Sequence, residues 1–168
     1  RRLLCFSIIF LSLNITAQEN NYLNKVKTLD ATLETLYDVI SGDAGVKRNW
    51  DLFRYLFVEN AKLIPTRIND RSPSLTFLTP DDYIERSGNW LEENGFFEKE
   101  IARKVETFGT ITHVFSTYAS FRTSKDTEPF ARGINSIQLM NDGNRWWIVN
   151  IYWLNESKKH PLPSIYLK

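Results

Sequence analysis

Apolar residues recur at intervals of three and four along the first part of the chain, which is the spacing of amphipathic helices. This spacing predicts three helices, with the ranges 29–41, 50–57 and 79–95. The third helix has the clearest start, because Thr79 can cap it and Pro80 suits its first position. Asp81 and Asp82 complement the dipole of the same helix end.

The apolar period changes to two from Phe96 onward, which indicates long strands. Two shorter strands are predicted between the second and third helices. The predicted strand ranges are 61–67, 74–78, 96–108, 110–123, 130–141 and 145–155. Gly109 marks one reversal, and Asp142-Gly143 marks a tight hairpin. Helices followed by a meander of antiparallel strands predict an α+β arrangement in which the helices cover one face of the sheet.

The first seventeen residues have the three-part pattern of a secretory signal peptide. Arg1-Arg2 is a basic start, residues 3–13 are an apolar run, and Ala17 precedes Gln18 as a small residue. The alternatives are a buried helix and a membrane anchor, but a spanning helix needs about 20 residues. We expect an exported chain, periplasmic or secreted, with no stable membrane anchor after cleavage.

The chain fits one domain, since 168 residues is an ordinary size for a single domain. The predicted divisions are a signal peptide (1–17), a flexible lead-in (18–28), a domain (29–156) and a docked C-terminal tail (157–168). The one cysteine, Cys5, lies in the signal peptide, so the mature chain needs no disulfide framework. A formal net charge of +1 gives no basic surface for nucleic acid, and no nucleic-acid partner is expected.

Several segments in combination resemble the nuclear transport factor 2-like superfamily, which includes SnoaL-like cyclases and ketosteroid isomerases. The resemblance covers roughly residues 29–156, and the chain is similar to a bacterial branch without an established activity. The segments are 49–63, 95–98, 113–118, 132–139 and 142–148. The resemblance implies a cone in which three N-terminal helices pack on a strongly bent, mainly antiparallel six-strand sheet around an internal pocket. Because this fold hosts many functions, it does not by itself assign one.

The final hairpin gives a trial set of pocket residues. A two-residue loop at Asp142-Gly143 would pair Asn141 with Asn144 and place Trp146 and Ile148 on the helix-covered face. This register brings three polar side chains together in the pocket: Asn135, Asn150 and Tyr152. They are predicted to bind a ligand. The alternative is an amide pair that only satisfies itself across the strands.

Other candidate residues are less decisive. Tyr118 is either a ligand-binding donor in the pocket or an aromatic at an interface. His113 is the only histidine in the predicted domain and a weak candidate for a general base. Glu98, Glu100 and Glu106 are predicted to lie on one face of a strand, with Lys99 and Arg103 on the other, which favours a solvated or interface strand. A lone histidine makes a metal site improbable, and no cofactor is expected.

Three functions remain open from the sequence. We expect first an exported domain that binds a hydrophobic small molecule without catalysis. A cofactor-free SnoaL-like isomerase, dehydratase or hydrolase is the alternative, and an interaction module with a filled pocket is the third possibility. An open cavity with a desolvated carboxylate would favour the enzyme, whereas amides and rings would favour binding.

The register also predicts an assembly. Both faces of the last two strands are apolar, and the face away from the helices would carry one contiguous patch: Ile134, Trp147, Val149, Ile151 and Trp153. Monomers rarely expose patches of this kind, so a homodimer through the outer sheet face is expected. The apolar C-terminal tail is a competing cover.

Overall fold

A computed structural model of the protein describes residues 22–68 and 72–168. The helices are α1 (Leu29–Ile40), α2 (Trp50–Tyr55) and α3 (Pro80–Asn94). The strands are β1 (Phe57–Ile68), β2 (Pro73–Leu75), β3 (Phe97–Phe108), β4 (Ile111–Phe121), β5 (Ala131–Asn141) and β6 (Trp146–Asn155). A 3₁₀ turn spans Ser164–Tyr166. The element order agrees with the prediction, while the predicted signal peptide lies outside the described residues.

The caps that the sequence predicts fix the start of α3. Thr79 Oγ1 accepts a hydrogen bond from the Asp82 backbone N–H at 3.1 Å, and Asp82 Oδ2 accepts one from the Thr79 N–H at 2.8 Å. This reciprocal capping box satisfies two donors that the helix leaves unpaired. The helix therefore begins at a defined residue and holds its cavity-facing side chains in fixed places.

The six strands form one sheet in the order β2-β1-β6-β5-β4-β3. Neighbouring strands are antiparallel except β1 and β6, which run parallel. The sheet curls around the helices and is strongly bent. Three strands contain an irregularity: β3 has one extra residue, Ile101; β6 has another, Val149; and the pairing of β1 with β6 shifts between Phe57 and Lys62. Such bulges bend a strand and exchange the faces of the residues beyond them.

The trial register of the last hairpin is wrong. The loop holds four residues rather than two, because Asn141 pairs with Trp146. Asp142 Oδ1 accepts hydrogen bonds from the backbone N–H groups of Asn144 and Arg145, both at 2.8 Å, and this stabilises the longer turn.

The core lies between the helices and the inner face of the sheet. Ile148 and Leu33 have no exposed surface, and Phe53 is 1% exposed. Trp146 is partly buried and packs against this core, so the prediction that Trp146 and Ile148 share the helix-covered face is confirmed. Burying these side chains is the main contribution to stability.

The C-terminal tail contacts the outer face of the sheet. Thr117 Oγ1 donates a hydrogen bond to the Tyr166 carbonyl oxygen at 2.6 Å, and the Tyr166 ring lies 5.0 Å from that of Phe115. The Leu162 N–H donates to Glu156 Oε1 at 3.0 Å.

Among the described residues, no helix is long and apolar enough to cross a membrane.

Candidate active site

The inner face of the sheet, α1 and α3 enclose a cavity of about 290 Å³. Aromatic and aliphatic side chains make most of its wall, and a few polar side chains interrupt them. The polar members are Tyr37, Tyr83, Ser87, Glu98, Tyr118, Ser120, Asn135 and Asn155. An apolar pocket with a few convergent polar groups is the usual form of a small-molecule site.

Among the residues that the structure describes, Glu98 is the one carboxylate on the wall of this cavity. Glu98 is partly buried, and this desolvation raises its pKa to about 7, although a hydrogen bond from Ser120 opposes the shift. Ser120 Oγ donates to Glu98 Oε2 at 2.8 Å. No described residue hydrogen-bonds the other carboxylate oxygen. Near neutral pH the group therefore exists both as an acid and as a base.

The expectation that Glu98, Glu100 and Glu106 share a solvated strand face is wrong. The extra residue Ile101 separates them, so Glu98 and Glu100 turn inward while Glu106 pairs opposite His113 on the outer face. The side chain of Glu106 is 86% exposed. The alternation of charges does not reveal a single inserted residue, so the inward orientation of Glu98 could not be predicted from the sequence.

Tyr37 is held in a chain of hydrogen bonds at the back of the cavity. Asn135 Nδ2 donates to the Tyr37 hydroxyl at 3.1 Å, and the Tyr37 and Ser116 hydroxyls lie 2.6 Å apart. Ser116 donates its one proton to Glu100 Oε1, so Tyr37 must donate to Ser116. Burial raises the pKa of Tyr37. Its proton is committed to the protein and not to a ligand.

The hydroxyl proton of Tyr118 is likewise donated to another side chain, and the contact requires a glycine at position 133. Its hydroxyl donates to Asn155 Oδ1 at 2.5 Å and crosses β5 at Gly133 to do so. A Cβ atom on Gly133 would lie 2.4 Å from the Tyr118 hydroxyl oxygen. Only a residue without a side chain permits this close approach.

Tyr83 differs from the other two tyrosines. Its ring stacks on Phe53 with 5.4 Å between centroids, and no described residue hydrogen-bonds its hydroxyl. Burial raises the Tyr83 pKa, and the nearby Glu98 charge raises it further. The phenol therefore stays neutral over the ordinary pH range and offers the cavity an uncommitted O–H donor.

The fold is shared with solved structures of low sequence identity. An NTF2-like protein from Silicibacter pomeroyi is 15% identical and superposes with a TM-score of 0.53 over 76% of this chain and 92% of that chain. A protein with a cystatin-like fold from Nostoc punctiforme is 6% identical, with a TM-score of 0.56 over 76% and 87%. The chain has the nuclear transport factor 2-like fold. No protein-family profile matches the sequence, and no curated protein matches it.

Within the nuclear transport factor 2-like fold, the predicted ligand residues fall on two different faces. Asn135 and Tyr118 line the cavity. Asn150 and Tyr152 were expected beside them, but they lie on the outer face, where Tyr152 is 44% exposed. The extra residue Val149 reverses the alternation of β6 and causes this difference.

The same reversal turns three other β6 residues inward. Ile151, Trp153 and Asn155 line the cavity in place of the expected pair. The predicted outer patch therefore loses Ile151 and Trp153.

His113 lies on the outer face of β4, away from the cavity. Its Nε2 atom is 3.0 Å from Ser136 Oγ, and its ring packs 5.9 Å from Phe115. The prediction of His113 as a general base in the cavity is therefore wrong.

Among residues 22–68 and 72–168, no group of three or more His, Cys, Asp or Glu side chains is arranged to hold a metal ion.

Proposed function

We propose that the cavity is an active site for cofactor-free proton transfer on an apolar small molecule, with Glu98 as the acid–base group. The observation that supports this most is a partly buried carboxylate, with its pKa raised to about 7, on the wall of a mainly apolar cavity. A general base is most efficient when its pKa lies near the working pH, and burial is the usual means of raising it. A solvated carboxylate would be a weaker base by more than two pK units.

The chemistry this arrangement fits best is proton abstraction beside a carbonyl group. The Glu98 carboxylate takes a proton from the carbon, the C–H bond breaks, and its electron pair forms a C=C bond while the π pair of the carbonyl moves to the oxygen. The developing oxyanion accepts a hydrogen bond from the uncommitted Tyr83 hydroxyl. Returning the same proton to another carbon completes an isomerisation and restores the carboxylate.

Ser120 has a positioning role in this scheme. Its hydrogen bond orients one carboxylate oxygen and leaves the other oxygen for the substrate. Because this bond stabilises the charged form, removing it should raise the pKa of Glu98 further. The Ser120→Ala variant should therefore keep activity but move its pH dependence upward.

Binding without catalysis is the second candidate, and two observations favour it. The protons of Tyr37 and Tyr118 are both committed to other side chains. The cavity wall also includes the amides of Asn135 and Asn155, which suit the recognition of a polar ligand group.

Deuterium uptake by 2-tetralone, an apolar ketone with acidic C–H bonds, separates the two candidates. Wild-type protein in D₂O should speed the exchange observed by NMR, and the rate should rise with pH through about 7. Glu98→Gln should abolish the acceleration while Ser120→Ala shifts the profile. Saturable binding of the ketone without faster exchange in wild-type protein would favour the binding candidate. Equal exchange in wild type and Glu98→Gln would refute Glu98 as the base.

Export remains a proposal, since the predicted signal peptide lies outside the described residues. The basic start, the apolar run and the Ala17-Gln18 junction support it. N-terminal sequencing of protein recovered from the periplasm or medium should begin at Gln18. A sequence that begins upstream of the apolar run would contradict cleavage.

A further inference from the structure

A second, more polar cavity of about 700 Å³ adjoins the inner one. It lies among the end of β1, the end of β6 and the side of α3. Four residues line both cavities: Tyr83, Ser87, Trp153 and Asn155. A molecule that occupied both would pass between these side chains and would contact the Tyr83 hydroxyl on its way.

Two arginines give this outer cavity a positive wall. Arg67 near the end of β1 and Arg86 on α3 both line it, and both are exposed. Neither guanidinium has a hydrogen bond or ion pair with any residue in the described part of the chain. Unpaired guanidinium groups on a cavity wall are well suited to bind a carboxylate or a phosphate, because their donors match two oxygens at once.

Two carboxylates near these arginines, among the residues that the structure describes, already have partners. Glu156 lines the outer cavity, but it accepts hydrogen bonds from Arg132 Nε at 2.8 Å and from the Leu162 N–H at 3.0 Å. Asp82, one helical turn before Arg86, accepts the capping bond from the Thr79 N–H, and the charge of Arg86 helps to lower the pKa of Asp82 without a direct ion pair. The hydrogen-bond donors of Arg67 and Arg86 are therefore left for a ligand.

Size also points to a ligand that occupies both cavities. Small-molecule sites usually measure about 300–1,000 Å³, so the inner cavity alone is at the lower end of that range. The inner wall is mainly apolar and holds Glu98, which disfavours a second negative charge there. An anionic group would be more stable beside the arginines.

We propose that the outer cavity binds the anionic group of an amphipathic substrate, a carboxylate or a phosphate, while its apolar part reaches the Glu98 cavity. The inference rests on the proposed function for the identity of the reacting end. The binding site itself depends only on Arg67, Arg86 and the two adjoining cavities.

Binding of three matched probes to the full chain tests this site. Decanoate, decyl phosphate and 1-decanol share a tail, and their dissociation constants can be followed by tryptophan fluorescence because Trp153 lines both cavities. Each anion should bind about tenfold more tightly than the alcohol at low salt. The ratio of decanoate to decyl phosphate then identifies the preferred anion. Added salt should weaken anion binding alone.

The double variant Arg67→Gln/Arg86→Gln should lose this preference and leave decanol binding unchanged. Arg54→Gln is the matched control, because Arg54 is an exposed arginine paired with Asp81. Equal binding of anions and alcohol by wild-type protein, or an anion preference that survives the double variant, would overturn the inference.

The Glu98→Gln variant separates this inference from the proposed chemistry. It should retain the anion preference, since it changes the inner cavity only. An anion preference without any catalysed exchange would support the outer site and reject the enzyme, whereas catalysed exchange without an anion preference would reject the outer site alone.

Discussion

Replacing Glu98 by Gln removes the charge that the cavity desolvates and keeps the shape of the protonated acid. Burial raises the Glu98 pKa to about 7 from 4.5. Between these two values the folded chain keeps a proton that the unfolded chain has released, so the wild-type free energy of unfolding falls as pH rises. The accumulated loss is about 3 kcal/mol above pH 7, and it vanishes at low pH, where both states are protonated.

Urea unfolding followed by circular dichroism measures this effect for wild type and Glu98→Gln across the pH range. The free energy of unfolding of the variant, relative to that of wild type, should rise by about 1.4 kcal/mol per pH unit between pH 4.5 and about 7. Above that range the difference between the two proteins should stay constant.

Glu106→Gln is the matched control for this experiment. It removes a carboxylate from the same strand, but the Glu106 side chain is exposed, so its effect should stay within about 0.5 kcal/mol. A Glu98→Gln difference that stays constant with pH would mean that the carboxylate is solvated in the folded protein. The assignment of Glu98 as a base would then fail as well.

Three further predictions test packing and assembly. Gly133→Ala should destabilise by about 2 kcal/mol or more in chemical denaturation, because its Cβ would overlap the Tyr118 hydroxyl; an unchanged midpoint would contradict that contact. Trp146→Ala should lose about 3 kcal/mol, since Trp146 packs against the core, and a loss below about 1 kcal/mol would contradict this packing. Sedimentation equilibrium should show a homodimer, because Val149 and Tyr152 leave apolar surface exposed on the outer face; a monomer mass would indicate that the tail is a sufficient cover.

The fold was predictable because its signals are local. Helical spacing, the Thr79 cap and the change to a period of two each depend on a few neighbouring residues, and the element order follows from them. The parallel pairing of β1 with β6 was not predicted, since it joins strands that are distant in the sequence. Composition also could not show that Glu98 is buried, because its strand is rich in charged residues.

The chemistry of the site depends on two extra residues that no local pattern reveals. Ile101 lets Glu98 face the cavity while Glu106 faces outward on the same strand. Val149 turns Ile151 and Trp153 toward the cavity and sends Asn150 and Tyr152 to the outer face. Without Val149, Asn150 and Tyr152 would line the cavity in place of Ile151, Trp153 and Asn155, and the loss of two large apolar side chains would lower the Glu98 pKa. The bulge in β6 therefore helps to keep the cavity wall mainly apolar around Glu98, and deleting Val149 should move the pKa of Glu98 downward.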